Sequence, residues 1–141
     1  MLNKNITIEF LKEMGKEYLP EFMGVEILSL EEGKMTSRLS IKPHHIAPNG
    51  FLHAATIIAL ADTTCGYASF AHLPEGAESL CTIELKSNYL GTAREGGIHC
   101  VATAIHLGRN TQVWDAEVSD EKTGKVIALF RCTQMNLFPK K

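Results

Sequence analysis

The chain has no pair of cysteines or histidines at metal-ligand spacing. Cys65, Cys81, Cys100 and Cys132 are 16, 19 and 32 residues apart. With no CxxC among them, neither a zinc site nor a dithiol redox pair is indicated, and no metal is expected. Each cysteine sits inside an apolar run and reads as a small buried hydrophobe, which points to reduced thiols and a cytoplasmic setting. No G-x-S-x-G elbow is present, so a Ser-His-Asp hydrolase lacks its nucleophile. Neither sign of charge dominates. The formal net charge is −2, and no basic surface advertises nucleic acid. The opening MLNKNITIEF lacks a basic stretch followed by an apolar one, so no signal peptide is expected. No repeat, linker or low-complexity stretch is visible.

What is there is an ordinary globular composition. The 141 residues are 45% hydrophobic and 21% charged, enough to bury a core within one domain, 1–141. Residues 5–14 place Ile6, Ile8, Phe10, Leu11 and Met14 as a short amphipathic helix, broken by LPEFMG. Residues 24–30 and 34–42 read as strands joined at EEGK, where Gly33 supplies a permissive backbone. KPHHIAPNG is a loop.

One stretch is more informative. After His53 the sequence AATIIALADTTCGYASFA runs for eighteen residues with one charge, Asp62. A carboxylate in the middle of a membrane span costs about 2.5–3.5 kcal/mol on the insertion scale, so a buried core helix over roughly 52–71 is the better reading. LPEG ends it. Strand follows strand thereafter. In SLCTIELKSNYL the alternation places Cys81, Ile83, Leu85 and Tyr89 on one face and Thr82, Glu84, Lys86 and Asn88 on the other. Residues 97–107, 111–119 and 125–137 complete the set, with turns at AREGG, GRNT and DEKTG. Short turns imply an antiparallel sheet. A helix this apolar must be covered on most sides. The expected class is α+β, with a curved antiparallel sheet wrapped around one long central helix. Trp114 and Phe130 are expected in the core.

That arrangement is the hotdog fold, and the chain also resembles a family. APNGFLHAATIIALADTTCGYA is similar to the G-x-x-H-G-G…D segment of the phenylacetate-pathway-type (PaaI-like) acyl-CoA thioesterases. TIELKSNYLGTAREG, HLGRNTQVWDAEV and KVIALFRCTQMNL resemble their later strands, so the likeness covers about residues 24–137. It implies hydrolysis of an acyl-CoA thioester without a cofactor. The family's oxyanion donor is the backbone N–H just after the histidine, which maps to Ala54. Glycine is usual there, but a backbone donor survives the change to alanine, and a helix start has free N–H groups to offer. Asp62 maps to the catalytic acid, as nucleophile or as base for water. Thr82 maps to a hydroxyl position that orients the reacting group or holds Asp62. His53 braces the site. Asn49 and Gly50 shape the substrate loop. Ala47 stands where many members carry Asn or Gln.

For the phosphates of coenzyme A, Arg109 in LGRNTQ is the first choice, ahead of Arg94 and Lys86. Cys65, one turn beyond Asp62, is discouraged as a nucleophile by that carboxylate.

Helical geometry adds a constraint of its own. His53 and Asp62 are nine residues apart, roughly 900° of rotation and about 13 Å of rise, so one helix cannot aim the Ala54 N–H and Asp62 at the same carbon. A second copy can. An obligate homodimer with two equivalent sites is expected, as the resemblance also implies, and the family often doubles this to a tetramer. Two other chemistries stand beside hydrolysis: a non-catalytic acyl-CoA-binding module on the same fold, and a hotdog hydratase, which lacks an Asp–His pair at short spacing.

Overall fold

The computed structural model describes residues 1–140. Lys141, the last residue of the expected domain, lies outside them. Helix α1, Ile8–Met14, starts three residues later than the apolar spacing suggests, because Thr7 caps it: Thr7 Oγ1 accepts the Phe10 N–H at 3.1 Å. LPEFMG does more than break the chain. It forms a one-turn helix, α2 (Leu19–Met23), with Pro20 in the first turn and Gly24 closing it at φ +75°.

Strands β1 (Glu26–Glu31) and β2 (Lys34–Ser40) make the expected hairpin. The following loop contains a 3-10 turn, Pro43–His45. The long helix α3 spans Ala54–Ala71. Its start is fixed by His53, whose Nδ1 accepts the Ala55 N–H at 2.9 Å. Four strands follow: β3 (Ser79–Tyr89), β4 (Gly97–Leu107), β5 (Thr111–Asp120) and β6 (Val126–Leu137).

All six strands form one antiparallel sheet in the order β1-β2-β4-β5-β6-β3. Ile57, Leu60, Ala61, Thr64, Cys65 and Ala68 recur at helical spacing and are buried. They turn α3 toward the sheet, where it packs against β2 to β6. Trp114, Phe130, Met35, Leu39 and Ile98 complete the core, with Cys65, Cys100 and Cys132 as buried free thiols. This is the hotdog arrangement, with the sheet curved around the helix. Among the described residues, no helix is long and apolar enough to cross a membrane.

Two features of the sheet bear on the site. First, β3 does not alternate as its sequence suggests. Its pairing with β6 slips between Thr82 and Glu84, a bulge centred on Ile83. Thr82 pairs with buried Gln134, while Leu85 pairs with buried Cys132. Paired residues share a face, so Thr82, Leu85 and Tyr89 all face the helix, and Glu84, Lys86 and Asn88 face away. The expected grouping of Thr82 with Glu84 is therefore corrected.

Second, the two edges differ. β1 is short, bulged near Ile27 and decorated by the Arg38–Glu26 ion pair at 3.1 Å. β3 is eleven residues long and leaves Ile83 54% and Tyr89 43% exposed. Of the two edges, β3 offers the longer run of backbone for pairing.

Candidate active site

Asp62 lies midway along α3, on a flank that faces β3, and is half-buried. It opens into a cavity of about 390 Å³ between α3, β3 and the N-terminal helices. The walls are mostly apolar, with Met14, Pro20, Tyr67, Phe70 and Leu80 among them, and among the described residues no Arg, Lys or His lines it. A larger cavity of about 490 Å³ lies between α1, α2 and β1 and shares only Pro20 and Tyr67 with the first. It contains neither Asp62 nor the helix start. The site is assigned to the smaller cavity because that one holds the carboxylate.

Burial pushes the Asp62 carboxyl above its ordinary range, and the Thr82 hydroxyl offsets this only when its one proton is turned toward the carboxylate. Among the described residues no ion pair involves Asp62, so desolvation is not repaid by an opposite charge. A carboxylate left basic in an apolar cavity can take a proton from water or attack an electrophilic carbon. Thr82 Oγ1 is 3.5 Å from Asp62 Oδ1 and 3.0 Å from Gln134 Oε1. The sequence places Asp62 and Thr82 twenty residues apart; the bulge in β3 brings them together.

The other group of expected residues collects at the start of α3. His53 is exposed and serves as the helix cap; its own N–H donates to His45 O at 2.9 Å. The Thr56 hydroxyl donates to that same carbonyl at 3.0 Å, which fixes the entry of the chain into the helix. The first helical N–H, that of Ala54, has no partner within the helix. It donates no hydrogen bond among the described residues and is exposed. Its carbonyl accepts the Tyr89 hydroxyl at 3.3 Å. Asn49 Oδ1 accepts the Phe51 N–H at 3.2 Å, and Gly50 sits at φ +82° with its N–H on Ala47 O at 2.8 Å. Asn49 and Gly50 thus build the tight loop before the helix, at a φ that glycine tolerates best.

Within one chain these two groups do not meet. Ala54 and Asp62 are separated by about 12 Å along α3, and none of Asn49, Gly50, His53 and Ala54 lines the Asp62 cavity. Arg109 is brought to neither group. It sits in the β4–β5 turn with its guanidinium 4.7 Å from the Phe138 ring. That turn is tied through Asn136 and Gln112 to the last turn of α3, the end opposite Ala54. Arg94, another cation weighed for that role, stacks over Phe51 at 5.2 Å, beside the helix start.

Sequence reasoning missed three residues near the site: Gln134 behind Thr82, Tyr89 on Ala54, and Tyr67 in the cavity wall. Gln134 had a signal, since it keeps step with Phe130 and Cys132 along an inward-facing strand. Cys65 is no nucleophile. A hydrogen bond to Cys132 and burial hold its thiol well above the ordinary range, with Asp62 adding to the effect. Among the described residues no cluster of three His, Cys, Asp or Glu side chains could hold a metal ion.

Comparison with known proteins places this geometry in context. The sequence profile of the thioesterase superfamily matches residues 49–127, which include the helix start, Asp62 and Thr82. The chain is 33% identical over 115 residues to the 1,4-dihydroxy-2-naphthoyl-CoA hydrolase of Listeria monocytogenes, covering 82% of this chain and 92% of that one. A variant of the thioesterase PA1618 from Pseudomonas aeruginosa superposes with a TM-score of 0.90 at 26% identity, covering 96% and 97% of the two chains. The PaaI protein of the Escherichia coli phenylacetic acid degradation operon superposes at 0.79 over 89% and 88%, and at 21% identity it shares the fold.

Proposed function

The chain belongs to the thioesterase superfamily, and on that premise we propose that it is a cytoplasmic hydrolase of acyl-CoA thioesters whose active site is completed by a second copy of the chain. The observation that carries this reading is Asp62: a half-buried carboxylate in an apolar cavity, held basic by desolvation and touched by one hydroxyl. The similarity to a hydrolase of an aromatic CoA thioester makes aryl-CoA the first acyl class to test.

In this reading, ionised Asp62 takes a proton from water as the water oxygen attacks the thioester carbon, or it attacks that carbon itself. Either route places negative charge on the carbonyl oxygen. The Ala54 N–H of the other copy receives it, with the positive end of that copy's α3 behind it. The carbon–sulfur bond then breaks. In the first route the proton held by Asp62 passes to the sulfur and coenzyme A leaves as the thiol. In the second it leaves as the thiolate, takes a proton from water, and a second water cleaves the acyl–Asp62 anhydride to free acid and carboxylate. Thr82 contacts the carboxylate. His53, Asn49 and Gly50 build the loop and cap that present the Ala54 N–H. Arg109 is assigned to the coenzyme A phosphates only as an electrostatic contact away from the reacting atoms.

Two observations support the second copy. Ala54 and Asp62 are too far apart on one helix to share a carbonyl. The eleven-residue edge strand β3 runs beside both, through Thr82 on Asp62 and Tyr89 on Ala54, and a long edge is normally covered.

The test is thiol release from a panel of aryl and aliphatic acyl-CoAs by wild type and Asp62→Asn. Release by wild type that drops at least about a hundredfold in the variant is expected. Binding of acyl-CoA with no release on any substrate would instead identify a non-catalytic binding module.

A further inference from the structure

Thr82 has one hydroxyl proton and two acceptors within reach. Gln134 Oε1 is at 3.0 Å and Asp62 Oδ1 at 3.5 Å. The shorter contact takes the proton. Which end of the Gln134 amide faces Thr82 is decided by its other neighbour. Gln134 is fully buried, so both ends of its amide must be satisfied from within. Its Nε2 lies 3.4 Å from Cys132 Sγ. The sulfur accepts that amide N–H. The carbonyl end is therefore left for Thr82.

We propose that Gln134 is a positioning residue that claims the Thr82 hydroxyl proton and turns a Thr82 lone pair toward Asp62. It touches neither substrate nor carboxylate and acts through Thr82 alone. A hydroxyl facing Asp62 with its lone pair can accept a proton from the neutral acid but cannot stabilise the anion. The effect is to keep Asp62 a strong base, where a threonine free to donate would weaken it. The register of the sheet builds this contact, because Thr82 and Gln134 are direct partners across β3 and β6 at the edge of the bulge.

Few other groups compete for control of Asp62. From α3 the titratable neighbours are Cys65 and Tyr67, from β6 Cys132, and from β3 Cys81. The N-terminal segment contributes Met14 and Pro20, which carry no charge. No cation faces the carboxylate from any of these elements, so the hydroxyl's orientation is the adjustable contact.

The proposal rests on Asp62 being the group that must ionise, and it is tested by two readouts. One is the acidic limb of the pH–rate profile for thioester hydrolysis. The other is the ¹³C carboxyl resonance of Asp62 followed against pH in aspartate-labelled protein, which needs no turnover. If the protein hydrolyses no thioester, the functional reading fails while the resonance still decides this one. Gln134→Met keeps the volume and removes the acceptor. It should free the Thr82 proton for Asp62 and lower the titration midpoint by about half a pH unit or more. In a Thr82→Ala background the same substitution should produce no such shift, because its messenger is gone.

Thr82→Ser should titrate like wild type. Thr82→Ala alone, at an exposed position that keeps its fold, should not raise the midpoint. That single variant decides the matter if Gln134→Met fails to fold. A raised midpoint in Thr82→Ala shows that Thr82 donates to Asp62 in the native protein and overturns the proposal. So does a Gln134→Met shift of equal size with and without the threonine.

Discussion

Thr82 stands 3.5 Å from Asp62 because β3 slips its register by one residue at Ile83. Without that bulge Thr82 would point away from α3 together with Glu84 and Lys86, and Asp62 would face a wall with no hydroxyl. The same strand reaches the start of the helix through Tyr89, whose hydroxyl donates to Ala54 O. One edge strand thus touches both ends of the proposed chemistry, and those ends lie too far apart in one chain to act on one carbon.

Asp62→Asn should remove turnover and stabilise the protein at neutral pH. Desolvation raises the Asp62 carboxyl above its ordinary range. Folding therefore favours the protonated form, and ionising the group in the native state costs stability. That penalty is absent below the unfolded-state value, near 4, where the acid is neutral in both states. It develops as pH rises from that value to the higher native one and is complete above it. The amide carries no such penalty, so the variant's melting temperature should exceed wild type at pH 7 and match it near pH 3. Thermal unfolding at the two pH values checks this; a lower melting temperature at pH 7 would contradict the account. Hydrolysis by wild type should fall with acid through the same raised value.

His72 should matter for stability and leave the chemistry alone. Its Nε2 accepts the Gly33 N–H at 2.9 Å, its Nδ1 donates to Ala68 O at 2.7 Å, and its ring meets Trp114 edge-on at 5.3 Å. The side chain is buried and ties the β1–β2 turn to the end of α3. His72→Leu keeps most of the volume but strands the Gly33 donor, at a cost of about 1–3 kcal/mol. Urea unfolding should show that loss, with the pH–rate profile unmoved in position.

The exposed edge of β3 gives the most direct handle on assembly. Ile83 and Tyr89 lie on a strand long enough to pair with a second copy of itself. Ile83→Lys puts a charge on that edge and should yield monomers by light scattering, where wild type should show the mass of a dimer or of a dimer pair. Activity should fall with the dimer. A monomeric wild type with full activity would remove the second copy from the mechanism.

Much of this is legible in the chain. The single charge in an apolar helix marks Asp62, and the alternating strands with short turns imply the sheet. Less visible is whatever depends on a register or a cap. A one-residue bulge flips every later side chain in a strand, and period-2 reading has no means of placing it, so it sets Thr82 on the wrong face. Thr7 and His53 each delay a helix start by taking an N–H that hydrophobic spacing ignores. A turn motif locates Arg109 in a turn without saying which end of α3 that turn meets. The turn forms, but at the end of α3 opposite Ala54, with the guanidinium on Phe138. Gln134 is readable as inward from its step with Phe130 and Cys132, yet its partner lies across a pairing that the sequence does not display.

The shared site can be tested by asking two dead proteins to revive each other. Ala54 is the first residue of α3, where proline is well tolerated because its missing N–H had no helical partner. His53 precedes it at φ −65°, ψ 134°, a conformation compatible with a following proline. Ala54→Pro therefore deletes the proposed oxyanion donor and little else, and should lower hydrolysis by about a hundredfold or more. Asp62→Asn deletes the acid. Neither homodimer has an intact site. In a mixed dimer, however, the Ala54 N–H of the Asp62→Asn chain faces the Asp62 of the Ala54→Pro chain, and one complete site returns. Random reassortment of equal amounts makes half the dimers mixed, so activity should recover to roughly a quarter of wild type. Unfolding and refolding the two variants together, against each refolded alone, provides the measurement. No recovery, with mixed dimers verified by mass, would mean that each chain carries its own complete site.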